Sequence, residues 1–219
     1  IDGRDLSVVP VEVGLEPVAV RAADVPDHGS VAYVLTEGAS AIGVIRAEKI
    51  SKHRDPAEQV SLLPVPQEVN ALAMSPNGRY AIGYIDPDKP LPEGTSIASL
   101  QVAAVVKLGD KPADDVAYQL SVSRQIQEIE FTEDGEEAFV VGRDGVNRID
   151  LSEVEKDAFV PPLGIDLSSG AFPARDREVE VAPDGSFLVV RSSAYAGVAL
   201  YRPASGESQD GELRRVRLP

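Results

Sequence analysis

The side chains best suited to chemistry in this sequence are arginines that fall in or near predicted loops. A guanidinium group presents a planar fork of hydrogen-bond donors that matches a carboxylate or a phosphate. Because the chain has a formal net charge of −15, arginines grouped on one face would form a local exception to its field. The alternative is that they neutralise the neighbouring carboxylates Asp144, Asp176 and Glu178. The candidate binding residues are Arg124, Arg143, Arg175 and Arg191, with Arg177 in the same predicted loops.

Carboxylates are concentrated in one short segment. Six acidic residues fall in the ten positions from Glu128 to Glu137. Oxygen ligands of this kind suit hard cations such as Ca²⁺, but their spacing does not follow an EF-hand loop. Two strand edges and a turn that face water explain the segment, so no metal site is predicted.

Several classes of chemistry lack the residues they need. The sequence has no Cys, which excludes disulfides, thiolate metal sites and cysteine nucleophiles, and it has only two His. No nucleophile elbow, P-loop or dinucleotide fingerprint occurs. We therefore predict no catalytic residue and no cofactor. The negative charge argues against a nucleic-acid partner, and no apolar stretch is long enough to predict a membrane span.

Short strands must position these side chains, because one pattern occurs four times. Each unit contains an alternating strand, a tight glycine turn and a second, apolar strand. The turn glycines are Gly29, Gly78, Gly135 and Gly185, and Asn or Asp before glycine tolerates the positive φ of a tight hairpin. A third strand and a weaker fourth strand follow, the latter near Leu163 in the third unit. Four antiparallel strands per repeat of about 50 residues is the pattern of a β-propeller blade.

The apolar residues that flank these turns are predicted to form the core between sheets. Those on the near strand alternate with carboxylates, whereas those on the far strand form continuous runs, as expected of strands covered on both faces. The predicted core residues are Leu72, Met74, Ile82, Ile129, Phe131, Phe139, Val141, Val181, Phe187 and Val189.

The repeat units resemble the YVTN-type β-propeller repeat. The segment 32–36, Ala-Tyr-Val-Leu-Thr, stands where that family has its name-giving tetrapeptide, with Leu35 and Thr36 as departures. The absence of Trp counts against the WD-type repeat. The resemblance implies an exported bacterial propeller, and it also covers lactonase-like propellers that open sugar lactones.

The predicted fold is therefore all-β, a single β-propeller region over residues 1–219 built from blades of three to four antiparallel strands. The blades are expected at about 8–64, 65–121, 122–167 and 168–219. Four blades are few, since repeat units need neighbours to bury their faces. The chain could be part of a larger ring whose other blades are missing, a complete four-bladed ring, or half of a ring completed by a second copy. The first is favoured, because the sequence starts without Met and stops just after an outer-strand pattern.

The function expected from these features is a non-enzymatic binding or scaffold module that presents its loops to a protein or an anionic glycan. The alternative is a lactonase-like hydrolase, which would need polar residues that converge on a central channel, such as Arg124, Arg143 and Arg191 with a carboxylate. An extracytoplasmic location, in the periplasm, at the cell surface or secreted, is expected because the families that the sequence resembles are mostly exported.

Overall fold

The computed structural model shows a chain built mainly from β-strands. It describes residues 9–14, 16–36, 40–50, 59–65, 67–96, 98–154, 158–161, 163, 177–203 and 212–217. Within these residues the strands form four sheets that follow one another in chain order. Neighbouring strands run antiparallel, with one exception in the second sheet. The predicted all-β fold is confirmed.

The first two sheets contain strands that lie between residues 17 and 121. The first sheet consists of β1 (Pro17–Val25), β2 (Gly29–Thr36), β3 (Ala41–Arg46) and β4 (Val60–Pro64). The second consists of β5 (Ala71–Met74), β6 (Tyr80–Tyr84), β7 (Val102–Lys107) and β8 (Val116–Ser121). Short 3₁₀ helices occupy Ala47–Lys49, Ser99–Gln101 and Pro112–Asp114.

The third and fourth sheets continue the same strand order. The third consists of β9 (Ile126–Phe131), β10 (Glu137–Gly142) and β11 (Gly145–Asp150). The chain then returns as β12 (Ala158–Phe159), which pairs in parallel with β8 and widens the second sheet. The fourth consists of β13 (Arg177–Val181), β14 (Leu188–Ser192), β15 (Gly197–Arg202) and β16 (Glu212–Arg217).

The weak strand predicted near Leu163 falls largely outside the described residues. Leu163 itself donates its backbone N–H to the carbonyl oxygen of Val146 at 2.7 Å. It therefore lies beside β11, on the edge where a fourth strand of the third sheet is expected. Gly164 and Ile165 lie outside the described residues.

The four turn glycines hold equivalent positions between the first and second strands of each sheet. Gly29, Gly78, Gly135 and Gly185 have φ angles of 66°, 68°, 72° and 68°, in the left-handed region that glycine adopts without steric cost. In the last three turns, the Asn or Asp before the glycine accepts the backbone N–H two residues later, at 2.9–3.0 Å. The predicted turn chemistry is confirmed.

Consecutive sheets pack face to face and enclose three hydrophobic cores. Tyr33 and Ile42 of the first sheet meet Leu72 of the second. Ile82 of the second sheet meets Val140 of the third in the next core. The last core joins Phe139, Val141 and Val146 of the third sheet to Val179, Leu188, Val190 and Tyr201 of the fourth.

Most of the predicted core residues lie in these interfaces. Leu72, Ile82, Phe139 and Val141 are buried, and a second group packs half-buried against the cores: Met74, Ile129, Phe131 and Val181.

Two core predictions are wrong. Phe187 is 40% exposed, and Val189 is only half-buried. Both side chains lie on the face of the fourth sheet that points away from the third, where no described sheet covers them.

Within the described residues, no helix has both the length and the apolar character needed to cross a membrane.

Candidate functional site

Two of the predicted arginines meet at one end of the third sheet. Arg124 lies in the connection from β8 to β9, and Arg143 lies in the turn that follows β10. The backbone N–H of Arg143 donates to the carbonyl oxygen of Arg124 at 2.7 Å. A Cβ on Gly142 would lie 2.7 Å from the Cβ of Ser123 and 2.9 Å from the oxygen of Arg124. Only glycine at position 142 lets the two segments approach this closely.

Asp144 fixes Arg124 in this corner. Its Oδ1 accepts the backbone N–H of Arg124, and its Oδ2 accepts the side-chain Nε–H, both at 2.8 Å. Burial alone would raise the pKa of Asp144, but the hydrogen bonds from the side chain and backbone of Arg124 outweigh it and lower that pKa. Asp144 is therefore held as an anion, and Arg124 is partly neutralised within the molecule.

Arg177, which is not among the four candidate residues, completes the group. It begins β13 and donates from Nη2 to the carbonyl oxygen of Gly142. Its burial lowers the pKa of the guanidinium, against which the charge of Asp144 acts. We call Arg124, Arg143 and Arg177 the Gly142 arginine cluster.

Arg143 lacks a carboxylate partner among the described residues. Its Nη1 donates to Oε1 of Gln125 at 3.2 Å, and no described carboxylate lies within ion-pair distance of it. Gln125 has a φ of 53°, a left-handed conformation that is uncommon for residues other than glycine and often marks a functional position. Among the described residues, Asp144 is a carboxylate that hydrogen-bonds to this cluster, through Arg124.

Arg191, another of the predicted binding residues, lies elsewhere. Arg191 is on β14, where Glu178 of β13 accepts hydrogen bonds from its Nε at 3.0 Å and its Nη2 at 2.6 Å. Both side chains are more than half exposed. Arg175 lies outside the described residues. Internal neutralisation therefore accounts for Arg191, and it accounts in part for Arg124.

A buried ion pair joins the first two sheets, and nothing in the sequence pattern pointed to it. Arg46, at the end of β3, contacts Asp115 in the segment before β8, and their side chains are 4% and 0% exposed. Arg46 Nη2 also donates to the carbonyl oxygen of Gly109 at 3.2 Å, while Nη1 lies 3.1 Å from Nδ1 of His28. Because the pair is enclosed, it positions sheets and is not accessible to a ligand.

A second group of charged residues lies on the first strands of the third and fourth sheets. Burial raises the pKa of Glu130 to about 7, and the nearby carboxylates Glu128 and Glu180 add to the effect. Among the described residues, no three His, Cys, Asp or Glu side chains are arranged to hold a metal ion. The carboxylates of this group therefore repel one another, and the described residues do not form a recognisable cation site there.

Comparison with known proteins gives a fold but no family. No protein-family model and no curated protein matches the sequence. Hsv2 of Kluyveromyces lactis is similar over 86% of this chain and 59% of its own, with 11% identity and a TM-score of 0.51. The complex of KlAtg21 with the coiled-coil of AgAtg16 matches 91% of this chain and 57% of that chain, with 16% identity and a TM-score of 0.53.

A protein from Bacteroides uniformis described as a 6-phosphogluconolactonase matches 91% of this chain and 53% of its own, with 15% identity and a TM-score of 0.48. That similarity is too weak to support an argument about activity. The chain spans less than two thirds of each of these three structures. Hsv2 and KlAtg21 are propeller-like proteins, and their similarity matches the four stacked antiparallel sheets. The chain therefore has the β-propeller fold.

Proposed function

We propose that this chain is a β-propeller binding module that recognises an acidic protein segment through the Gly142 arginine cluster. The observation that carries the proposal is Arg143, a guanidinium without a described carboxylate partner beside Arg124 and Arg177. Arginines gathered around one turn repel one another through their like charges, and an incoming carboxylate would relieve that repulsion. Arginine forks are well suited to bind it in a bidentate manner.

A protein partner is favoured over an anionic glycan by one comparison. The similar propeller KlAtg21 is described in complex with a coiled-coil, which is a protein ligand. Because propellers of this architecture present rigid loops on a fixed scaffold, a loop cluster is a reasonable place for such a contact. Sulfated or carboxylated glycans share the same anionic chemistry and serve as the competing probe in the test below.

The lactonase-like alternative has less support in the geometry. It needs Arg124, Arg143 and Arg191 to converge with a carboxylate on one reacting centre. Arg124 is instead held by Asp144, and Arg191 is held by Glu178 on the face of a different sheet. We therefore infer binding rather than hydrolysis.

The test is a calorimetric titration with a glutamate-rich peptide, run in parallel with polygalacturonate. Arg143→Ala is expected to weaken peptide binding at least tenfold, and more at low salt than at high salt because screening reduces the contribution of each charge. Arg79→Ala is the matched control, since it removes one arginine from the glycine-turn side of the second sheet. Equal effects of the two variants, or no binding by the wild-type chain, would overturn the proposal, and preferential binding of polygalacturonate would identify a glycan instead.

We further infer that the module is of the YVTN type and works outside the cytoplasm of a bacterium. The support is the resemblance of segment 32–36 to the YVTN repeat and the absence of Trp. Fractionation of the source cells tests the location. The protein is expected in the periplasmic, surface or secreted fraction, and its recovery with cytoplasmic enzymes would contradict the inference.

A further inference from the structure

The two end faces of the stack are built like its internal faces. Two residues after the turn glycine, Val31 of the first sheet and Tyr80 of the second point toward the following sheet and are buried there, whereas the third sheet has Glu137 at this position. Four residues after each glycine, Tyr33, Ile82 and Phe139 are completely buried in the same way. Phe187 and Val189 occupy these two positions in the fourth sheet. Their side chains therefore belong to a sheet-packing surface that no described residue covers.

The face around Phe187 is apolar across several strands. Val189 pairs with Leu200, and Val198 pairs with Val216, so all four side chains share the outer face of the fourth sheet. Val216 is 41% exposed. Exposed apolar side chains grouped on one sheet face, such as Phe187 and Val216, indicate an interaction surface.

The turn of the first sheet has an open side as well. A Cβ on Gly78 would lie 2.8 Å from Val25 of the preceding sheet, and one on Gly135 would lie 2.7 Å from Asn77 of the preceding turn. A Cβ on Gly185 would lie 2.9 Å from Glu137 of the third sheet. At Gly29, no described residue lies within 4 Å of that position. Gly29 therefore has the same backbone conformation as the three turns that rest on a preceding sheet, but no described sheet lies against it.

The outer face of the first sheet is apolar too. Val20 pairs with Val34, which pairs with Gly43, which pairs with Leu62, so these residues form one row across the sheet. Val20 is 54% exposed and Leu62 is 59% exposed. Neither belongs to any of the three cores that the described residues form.

We propose that these two end faces bind a second copy of this chain, so that two chains close one ring of eight sheets. Every internal interface joins a face of the Phe187 type to a face of the Leu62 type. One copy carries both open faces, and a head-to-tail pair related by a two-fold axis satisfies both at once. This inference is independent of the Gly142 arginine cluster.

The charged residues on the two end faces also favour a second copy of this chain as the partner. Arg202 and Arg214 are exposed on the outer face of the fourth sheet, because Arg214 pairs with Leu200 and Arg202 follows Leu200 by two residues on the same strand. Arg202 pairs across the sheet with Glu212. Asp24 is exposed on the outer face of the first sheet and pairs with Ser30, next to the Gly29 turn. A copy that brings its first sheet against the fourth sheet therefore brings a carboxylate toward arginines, at a face that also carries the Glu178–Arg191 ion pair.

The test is the mass of the chain by sedimentation equilibrium. The wild-type chain is expected at twice its 23.3 kDa mass. Phe187→Asp and Leu62→Asp alter opposite faces, and each is expected to give a monomer. Phe159→Asp is the matched control, because Phe159 is a 69% exposed phenylalanine on β12, away from both end faces. It is expected to remain a dimer, as is Arg143→Ala.

Each other outcome would overturn the proposal. A monomeric wild-type chain would assign the open faces to sheets of another polypeptide or of a longer protein. Assemblies larger than the dimer would show head-to-tail contact without closure. A Leu62→Asp variant that stays dimeric would show that the first sheet takes no part. If Phe187→Asp does not give the circular dichroism of the wild-type strands, Val216→Asp replaces it on the same face.

Discussion

At the scale of single residues, Arg46 and Arg143 differ in how their charges are paired. Arg46 is enclosed with Asp115 between two sheets, whereas Arg143 lies in a turn beside two other guanidinium groups. A buried charge persists only when it is paired, because desolvation is costly. Thus Arg46 is paired within the structure, whereas Arg143 has no carboxylate partner among the described residues and is the residue that we propose to bind a ligand.

Removing Asp115, the partner of Arg46, should strongly lower the free energy of unfolding. Asp115→Ala leaves a guanidinium buried without its counter-ion, and such changes cost about 3–5 kcal/mol. Arg191→Ala removes one partner of an exposed pair, which is worth at most about 1 kcal/mol. Urea unfolding of the two variants measures both costs. Similar losses in the two would show that Arg46 and Asp115 are not enclosed as described.

Glu130 should make the stability of the chain depend on pH. Its pKa in the folded chain is about 7 against an ordinary value of 4.5, because burial and the charges of Glu128 and Glu180 disfavour its anion. The folded state therefore holds a proton that the unfolded state releases, and stability should fall as pH rises from about 4.5 to 7.

The matching variant is Glu130→Gln, which cannot ionise. It should flatten that part of the urea-midpoint profile and should be more stable than the wild-type chain at pH 8. Glu93→Gln, in an exposed loop, should leave the slope unchanged. A slope that persists in Glu130→Gln would assign it to another group.

At the scale of elements, the glycine turns have two structural roles. They reverse the chain with a positive φ, and the missing side chains of Gly78, Gly135 and Gly185 let those three turns rest on the sheet before them. Hydrogen bonds between turns support the same stacking. The hydroxyl of Tyr33 donates to Gly78, Nδ2 of Asn77 donates to Asp134, and the N–H of Glu133 donates to Pro183, at 2.7–2.8 Å.

Two glycine variants separate the cost of the positive φ from the cost of losing the contact with the preceding turn. Gly94 has a φ of 77° with nothing within 4 Å, so Gly94→Ala should cost only the conformational penalty of about 1–2 kcal/mol. Gly135→Ala should cost clearly more, because its Cβ would lie 2.7 Å from Asn77. Urea unfolding measures the difference. Equal costs would show that the turns do not rest on one another.

The turns were predictable from sequence because their chemistry is local, whereas the interfaces were not. An Asn-Gly or Asp-Gly pair specifies a hairpin without reference to the rest of the chain. Arg46 and Asp115 are far apart in sequence, and no local pattern connects them. Phe187 was predicted to be buried between sheets, but a strand pattern does not say whether another sheet covers a given face. The Gly142 cluster was partly predictable, since Arg124 and Arg143 flank one sheet, while Arg177 was left out of the candidate set.

At the scale of the whole molecule, burial distinguishes the fourth sheet from the two sheets before it. In the second and third sheets, β7 and β10 are buried along nearly their whole length, which requires a neighbour on both faces. In the fourth sheet, β14 alternates between buried and more exposed residues, as a strand covered on one face does. The third sheet, whose flanking loops hold Arg124 and Arg143, therefore lies in the covered middle of the stack.

The most direct test of the account is to find which backbone amides respond to an acidic ligand. The ¹⁵N-labelled chain would be titrated with the glutamate-rich peptide while its amide chemical shifts are followed by NMR. The account predicts shifts centred on Arg124, Gly142, Arg143 and Arg177, with the turns at Gly78, Gly135 and Gly185 unaffected. Shifts confined to those glycine turns, shifts scattered over the surface, or no shifts at all would contradict it.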